Sequence, residues 1–261
     1  MSTTTLAAPI RVNTTGVHAR PGLGRLVAVE LRKMVDTRAG FWLQVAMVGL
    51  TVVVVVVRLL VGDAADHTFQ SVLDAGLQPA AVLLPVLGIL LVTSEWSQRT
   101  GLITFALVPA RSRVLVAKLI ASLVAAVAML VMSVAIIAAG VLFASPGVDG
   151  TWSDAAPLIA QSAVYLTTGV VVGVAFGAIL LTSAPAIVLR FALPTAWMAV
   201  VSLPLFADVA PWVDYADALG QMTVEVMSAT QWAHVGTALA LWMLLPLLIG
   251  TWRITRREIA S

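Results

Sequence analysis

Six blocks of apolar residues, each about 20 long, run through this sequence with short polar stretches between them. A helix of that length covers roughly 30 Å of hydrocarbon, and only a structure that satisfies its own backbone donors and acceptors can stand there. The pattern predicts an all-α integral membrane protein. Composition agrees: 60% of the residues are hydrophobic and 11% charged, against roughly 45–50% and about 25% in soluble domains. A soluble fold could not hide that much apolar surface.

The predicted spans are 41–61, 77–93, 115–143, 157–182, 185–207 and 232–252. The fifth carries Pro194 and Pro204, and neighbouring helices can satisfy the backbone groups that prolines free. Residues 1–20 are rich in Ser and Thr and lack the apolar core of a secretory signal, so they are expected to be a disordered cytoplasmic tail. In residues 21–40, Leu23, Val27, Leu31, Met34 and Val35 recur at helical spacing while Arg25, Arg32, Lys33 and Asp36 face elsewhere. This predicts an amphipathic helix lying in the membrane interface, basic side toward anionic headgroups. Residues 208–231 form a long connection with Pro211, Trp212 and four acids, Trp232 following, and are expected to hold short helices dipping into the outer leaflet.

Lys and Arg favour short cytoplasmic loops. Arg11, Arg20, Arg25, Arg32, Lys33 and Arg38 precede the first span; Arg99, Arg111, Arg113 and Lys118 lie beside the second connection; Arg253, Arg256 and Arg257 follow the last span. Arg190 is expected to mark the turn between the fourth and fifth spans, and Arg58 to snorkel from the first toward Asp63 or Asp66. The other loops carry only acids: Asp63, Asp66, Asp74, Asp149, Asp154, Asp208, Asp214, Asp217 and Glu225. Both termini, the tail 253–261 included, are expected in the cytoplasm of a multi-pass chain.

The absences matter equally. No G-x-x-x-x-G-K-[ST] loop is present, so the chain has no phosphate cradle for hydrolysing ATP and is not expected to be an enzyme. His18, His67 and His234 lie on separate segments and there is no cysteine, which argues against a metal site and excludes disulfides. No nucleic-acid partner is expected. Away from their ends the predicted spans hold essentially no ionisable residue, the opposite of what an ion-coupled carrier needs. Gly169, Gly173 and Gly177 form a small-residue stripe that lets another helix approach closely, with a neighbouring span of the same chain favoured over a second copy.

The segment from Ser94 to Lys118, SEWSQRTGLITFALVPARSRVLVAK, resembles the ABC-2 type transporter permease family at several positions together. These are Glu95 directly after the second span, Arg99-Thr100-Gly101, Thr104 and Phe105, Pro109, Arg111, Arg113, and Lys118 entering the third. Glu30-Leu31-Arg32-Lys33 is similar to that family's connecting helix and Gly250–Ile259 to its exit from the last span; TSEWSQRT is most like actinobacterial members. The resemblance implies a type V exporter-like architecture, N-in and C-in, with the second connection coupling the chain to a separate ATPase that holds ATP and Mg. Glu95, Arg99, Thr100, Gly101, Pro109, Arg111, Arg113 and Lys118 would carry that coupling, with Glu30, Arg32 and Lys33 on the interfacial helix. It also implies a homodimer or a heterodimer with a related permease, exporting a hydrophobic or amphiphilic substrate. A secondary transporter, or a non-transporting immunity or sensory subunit on the same fold, is the alternative.

Overall fold

The computed structural model describes residues 21–63, 67–97, 111–145 and 150–256, and is about 88% helical with no strand among them. A short helix, α1 (Leu23–Asp36), leads into α2 (Arg38–Val61), α3 (Phe69–Ser97), α4 (Arg111–Ala144), α5 (Ala155–Leu180) and α6 (Ser183–Val201). Two short helices follow, α7 (Ala210–Val213) and α8 (Tyr215–Gly220). Last come α9 (Ala229–Leu239), a π-helical stretch Ala240–Leu244, and α10 (Leu245–Arg256). Six helical stretches, α2 to α6 and the α9–α10 unit, are long and apolar enough to cross a membrane.

The packing places α3 and α5 inside and the other spans around them. The most apolar windows of α3 and α5 are 61% and 67% buried within the chain, against 17% for α2 and α6. Small residues make this possible. A side chain at Gly173 would meet the backbone Cα and carbonyl carbon of Pro85 at 2.8 Å, and one at Gly177 would press on Ile89 at 3.2–3.3 Å. From the other side a side chain at Gly88 would meet the Val170 carbonyl oxygen at 2.7 Å, so the two backbones approach closely, as hydrocarbon-embedded helices do when small residues line the seam. The Gly169/Gly173/Gly177 stripe therefore faces α3 of the same chain. A side chain at Gly76 of α3 would meet Ile137 and Val55, and one at Gly140 of α4 would meet Val55 and Leu59, all at 2.7–3.2 Å, so α2, α3 and α4 also pack closely.

Three boundaries differ from those expected. Helix α3 begins at Phe69, not residue 77: Asp74 interrupts the apolar run, but Val72 and Leu73 below it are fully buried and continue the helix. Helix α6 ends at Val201, not residue 207, because Leu203 precedes Pro204 and takes the extended conformation (φ −69°, ψ 141°) that a following proline enforces. The last span is not one regular helix. The π stretch precedes α10, which restarts with Pro246 in its first turn, where a missing N–H costs least.

A turn of only Leu181 and Thr182 joins α5 to α6, with Leu181 in the left-handed region (φ 58°) and its N–H bonded to Gly177 O at 2.8 Å. The α3, α4 and α6 starts thus gather at opposite ends of the bundle. One end holds α1, Glu95, Lys118 and Arg253 and is basic; the other holds Asp63, Asp74, Asp154, Asp208 and Asp217 and is acidic.

At the acidic end, residues 203–228 fold back along α5, α6 and α9. Trp197, four residues before the end of α6, donates its indole N–H to Val213 O at 3.1 Å, and Trp242 donates to the same carbonyl at 2.9 Å. Gln161 of α5, almost fully buried, ties the segment down three times: its Nε2 donates to Met222 O (3.0 Å) and Glu225 O (2.7 Å), and its Oε1 accepts from Met227 N (2.9 Å). Thr223 donates to Asp74 Oδ1 at 2.7 Å. Asp74 therefore lies within α3 and pairs with the returning segment, where a loop position was expected.

Candidate functional site

Helix α1 owes its position to the bend that follows it. Thr37 caps α2 by accepting from Gly40 N at 3.2 Å, and a side chain at Gly40 would meet Thr37 Oγ1 at 2.8 Å and the Met34 carbonyl carbon at 3.0 Å, so only glycine allows so tight a corner. Gln44, one turn on, donates to Met34 O and Gly40 O, both at 3.2 Å, and fastens the end of α1 across α2. The start of α1 is held by Arg113, whose Nη2 donates to Pro21 O at 3.0 Å.

Thus fixed, α1 turns Glu30 and Met34 inward and leaves Leu23, Val29 and Val35 exposed. This corrects the simple amphipathic reading: the inward face carries a carboxylate. Glu30 Oε1 accepts from Lys33 Nζ at 2.7 Å; Lys33 Nζ also donates to Glu95 Oε1 at 2.9 Å. Lys118 Nζ donates to Glu30 Oε2 at 2.8 Å, lies 3.2 Å from Glu95 Oε1, and donates to Leu91 O at 2.9 Å. Two acids and two lysines alternate in a closed ring that draws one pair from α1, one acid from the end of α3 and one lysine from the start of α4.

The side chains of Lys118, Glu30 and Glu95 are 4%, 5% and 6% exposed; that of Lys33 is 37% exposed and forms the ring's wet edge. Burial alone pushes the Lys33 ammonium down, but hydrogen bonds and charge from Glu30 and Glu95 outweigh it and hold it above the usual lysine value. Removing one member would leave a buried charge unmatched, a loss of about 3–5 kcal/mol. The exposed Arg32–Asp36 pair, 3.0 Å apart, is of the other kind and contributes little.

Glu95, expected directly after the second span, lies within α3, which runs on to Ser97, and is buried against the protein. Lys118 is likewise an internal partner of Glu30 and Glu95, Arg113 is bonded to Pro21, and Arg111 opens α4. Arg99, Thr100, Gly101 and Pro109 lie outside the described residues.

Two further cations depart from expectation. Arg58 donates to Ser71 Oγ on α3 at 2.8 Å rather than pairing with Asp63, and Asp66 lies outside the described residues. Arg190 does not mark the α5–α6 turn, which is Leu181–Thr182; it sits within α6, seven residues after Ser183 and so about 10 Å along the axis from the turn. It is 7% exposed and donates to the Tyr215 hydroxyl at 3.1 Å. The expectation that the spans hold no deep ionisable residue is therefore overturned. The predicted bounds 185–207 already held Arg190 inside a span, and assigning it to the turn rested only on the side preference of basic residues.

These features define a multi-pass membrane protein of six apolar helical spans with a buried ion ring at one end of the bundle. Compared with known proteins, the chain matches no family model and no curated relative.

Proposed function

We propose that this chain is the permease subunit of an ATP-binding-cassette exporter of the ABC-2 type, with both termini in the cytoplasm of a bacterial plasma membrane, working as a homodimer or heterodimer with a separate ATPase. One observation carries the reading: the ring of Glu30, Lys33, Glu95 and Lys118 clamps α1 and both ends of the 98–110 connection together. A push on that connection then moves α1, α3 and α4 as one body. Close packing of α3 on α5 carries the displacement into the centre of the bundle. The substrate class that suits apolar spans is a hydrophobic or amphiphilic molecule.

The test is co-expression with the partner ATPase subunit, reading pull-down, ATP hydrolysis in lipid and export. Glu95→Gln with Lys118→Met keeps the ring neutral while cutting its link to α3, and export should fall while the complex still forms. Full export in this double variant refutes the coupling role. Topology is tested separately by a cysteine at Thr3 or Ser261, introduced into a chain that has none. Labelling of either by an impermeant reagent in intact cells refutes the cytoplasmic placement.

A further inference from the structure

We propose that Arg190 is the recognition point for the anionic headgroup of an amphiphile, a carboxylate or phosphate on a hydrocarbon chain, bound between α6 and the returning segment 203–228. The starting point is a contrast within the molecule. Lys118, as buried as Arg190, is matched by two carboxylates and a backbone carbonyl. Arg190 forms no ion pair with any described residue. Its partners are neutral: the Tyr215 hydroxyl at 3.1 Å and the rings of Tyr215 and Phe191, 5.1 and 5.5 Å from the guanidinium carbon. Its Nε is buried and has no hydrogen-bond partner. Arginine does not shed its proton, so a full positive charge stands inside a membrane-spanning helix without a counter-ion among the described residues.

The shape of the vacancy in bonding defines what fits. A guanidinium presents a planar fork of donors that matches a carboxylate or phosphate two bonds at a time, geometry a single phenol cannot use. Around it the chain is apolar and aromatic: Tyr215 belongs to a cluster with Val172, Phe176, Leu219 and Trp242, and Trp197 packs against it. An inorganic anion would find no further polar partners among those residues, whereas a hydrocarbon chain would. Tyr215 rides on α8, which is part of the returning segment and not of a span.

This deepens the exporter reading by giving the substrate a charge, and it rests on that reading for its role in transport, but the binding itself is measured on this chain alone. The purified full chain in a neutral maltoside detergent is titrated with dodecyl phosphate, dodecanoate, dodecanol and inorganic phosphate. Trp197 and Trp242, with ring centroids 6.0 Å apart beside Tyr215, report binding by fluorescence, and Trp197→Phe assigns the signal. Saturable binding of both anionic amphiphiles, with dodecanol and inorganic phosphate much weaker, is expected. Arg190→Gln should weaken the anions by roughly tenfold to a hundredfold, as loss of a charged hydrogen bond does. Arg190→Lys, which keeps the charge and loses the fork, should fall between. Equal binding of dodecanol, unchanged affinity in Arg190→Gln, or no binding by the native chain overturns the inference. So does inorganic phosphate binding as tightly as dodecyl phosphate, or a dimer that falls apart in Arg190→Gln with anion affinity intact, which would assign the counter-ion to a second copy. Failure to recover an ATPase with the chain would remove the exporter reading and leave these titrations standing.

Discussion

Replacing Lys118 by methionine keeps the length of the side chain and deletes its charge. Three contacts go with it: Glu30 at 2.8 Å, Glu95 at 3.2 Å and Leu91 O at 2.9 Å. What remains is two carboxylates, each about one-twentieth exposed, facing a single half-buried lysine. A buried pair broken from one side costs about 3–5 kcal/mol, much of it desolvation of the orphaned charge. At roughly 2–4 °C per kcal/mol for a chain of this size, the apparent melting temperature should drop by about 6–20 °C. Adding Glu30→Gln removes the surplus charge and leaves Lys33 with Glu95 as a neutral pair, so the double variant should recover most of the loss. The assay is thermal unfolding in detergent at a fixed scan rate, followed by retention of monodisperse protein, for wild type, both single variants and the double variant. A coupling of more than about 1 kcal/mol marks the two sites as one unit. If Lys118→Met is as stable as wild type, or the double variant merely sums the singles, the ring is not an electrostatic unit and the reasoning fails.

Gly173→Leu should abolish folded yield, because the added side chain would overlap the Pro85 backbone, while Gly49→Ala, with nothing within 4 Å, should be neutral; size-exclusion profiles compare them. Gln161→Ala should free residues 221–227 locally, at about 1–3 kcal/mol for each backbone group left unbonded, and hydrogen exchange should rise there before it rises in α3 or α5. For Lys33 the folded pKa is raised, so its contribution is fully present below the unfolded value of about 10.4 and is lost as pH rises through the folded one. Stability from this residue should be flat across neutral pH and fall only on the alkaline side, and Lys33→Met should remove that alkaline fall from a pH series of melting curves.

Element positions were legible because hydropathy is a local sum. Six apolar runs could hardly be anything but helices, and Pro204 and Asp74 shifted boundaries only by turning or interrupting a run. Glu95 and Lys118 were legible as notable residues from their position beside spans, but their mutual contact was not, since 22 intervening residues and a helix from the N-terminal side decide it. Glu30 stands out only through the family resemblance; its inward position was legible too, since it sits three residues from Lys33 and four from Met34 on the side of α1 that packs inward, where an acid demands a partner. For Arg190 the predicted bounds 185–207 already left a short turn and put the arginine inside the next span, but its pairing with the Tyr215 hydroxyl was not legible, since it depends on how the segment after α6 folds back.

The ring also sets an order on biogenesis. Glu30 and Lys33 leave the ribosome first and can neutralise each other at the surface of the bilayer, so α1 can settle early. Glu95 arrives at the end of α3 with no cation of its own reserved for it, and the partner that balances it, Lys118, is still to be translated. Until α4 has been made and slid into place, α3 carries an unmatched negative charge at its tail and has reason to remain loosely seated. Closing the ring thus joins α1 to the end of α3 and the start of α4 only once all three have been made.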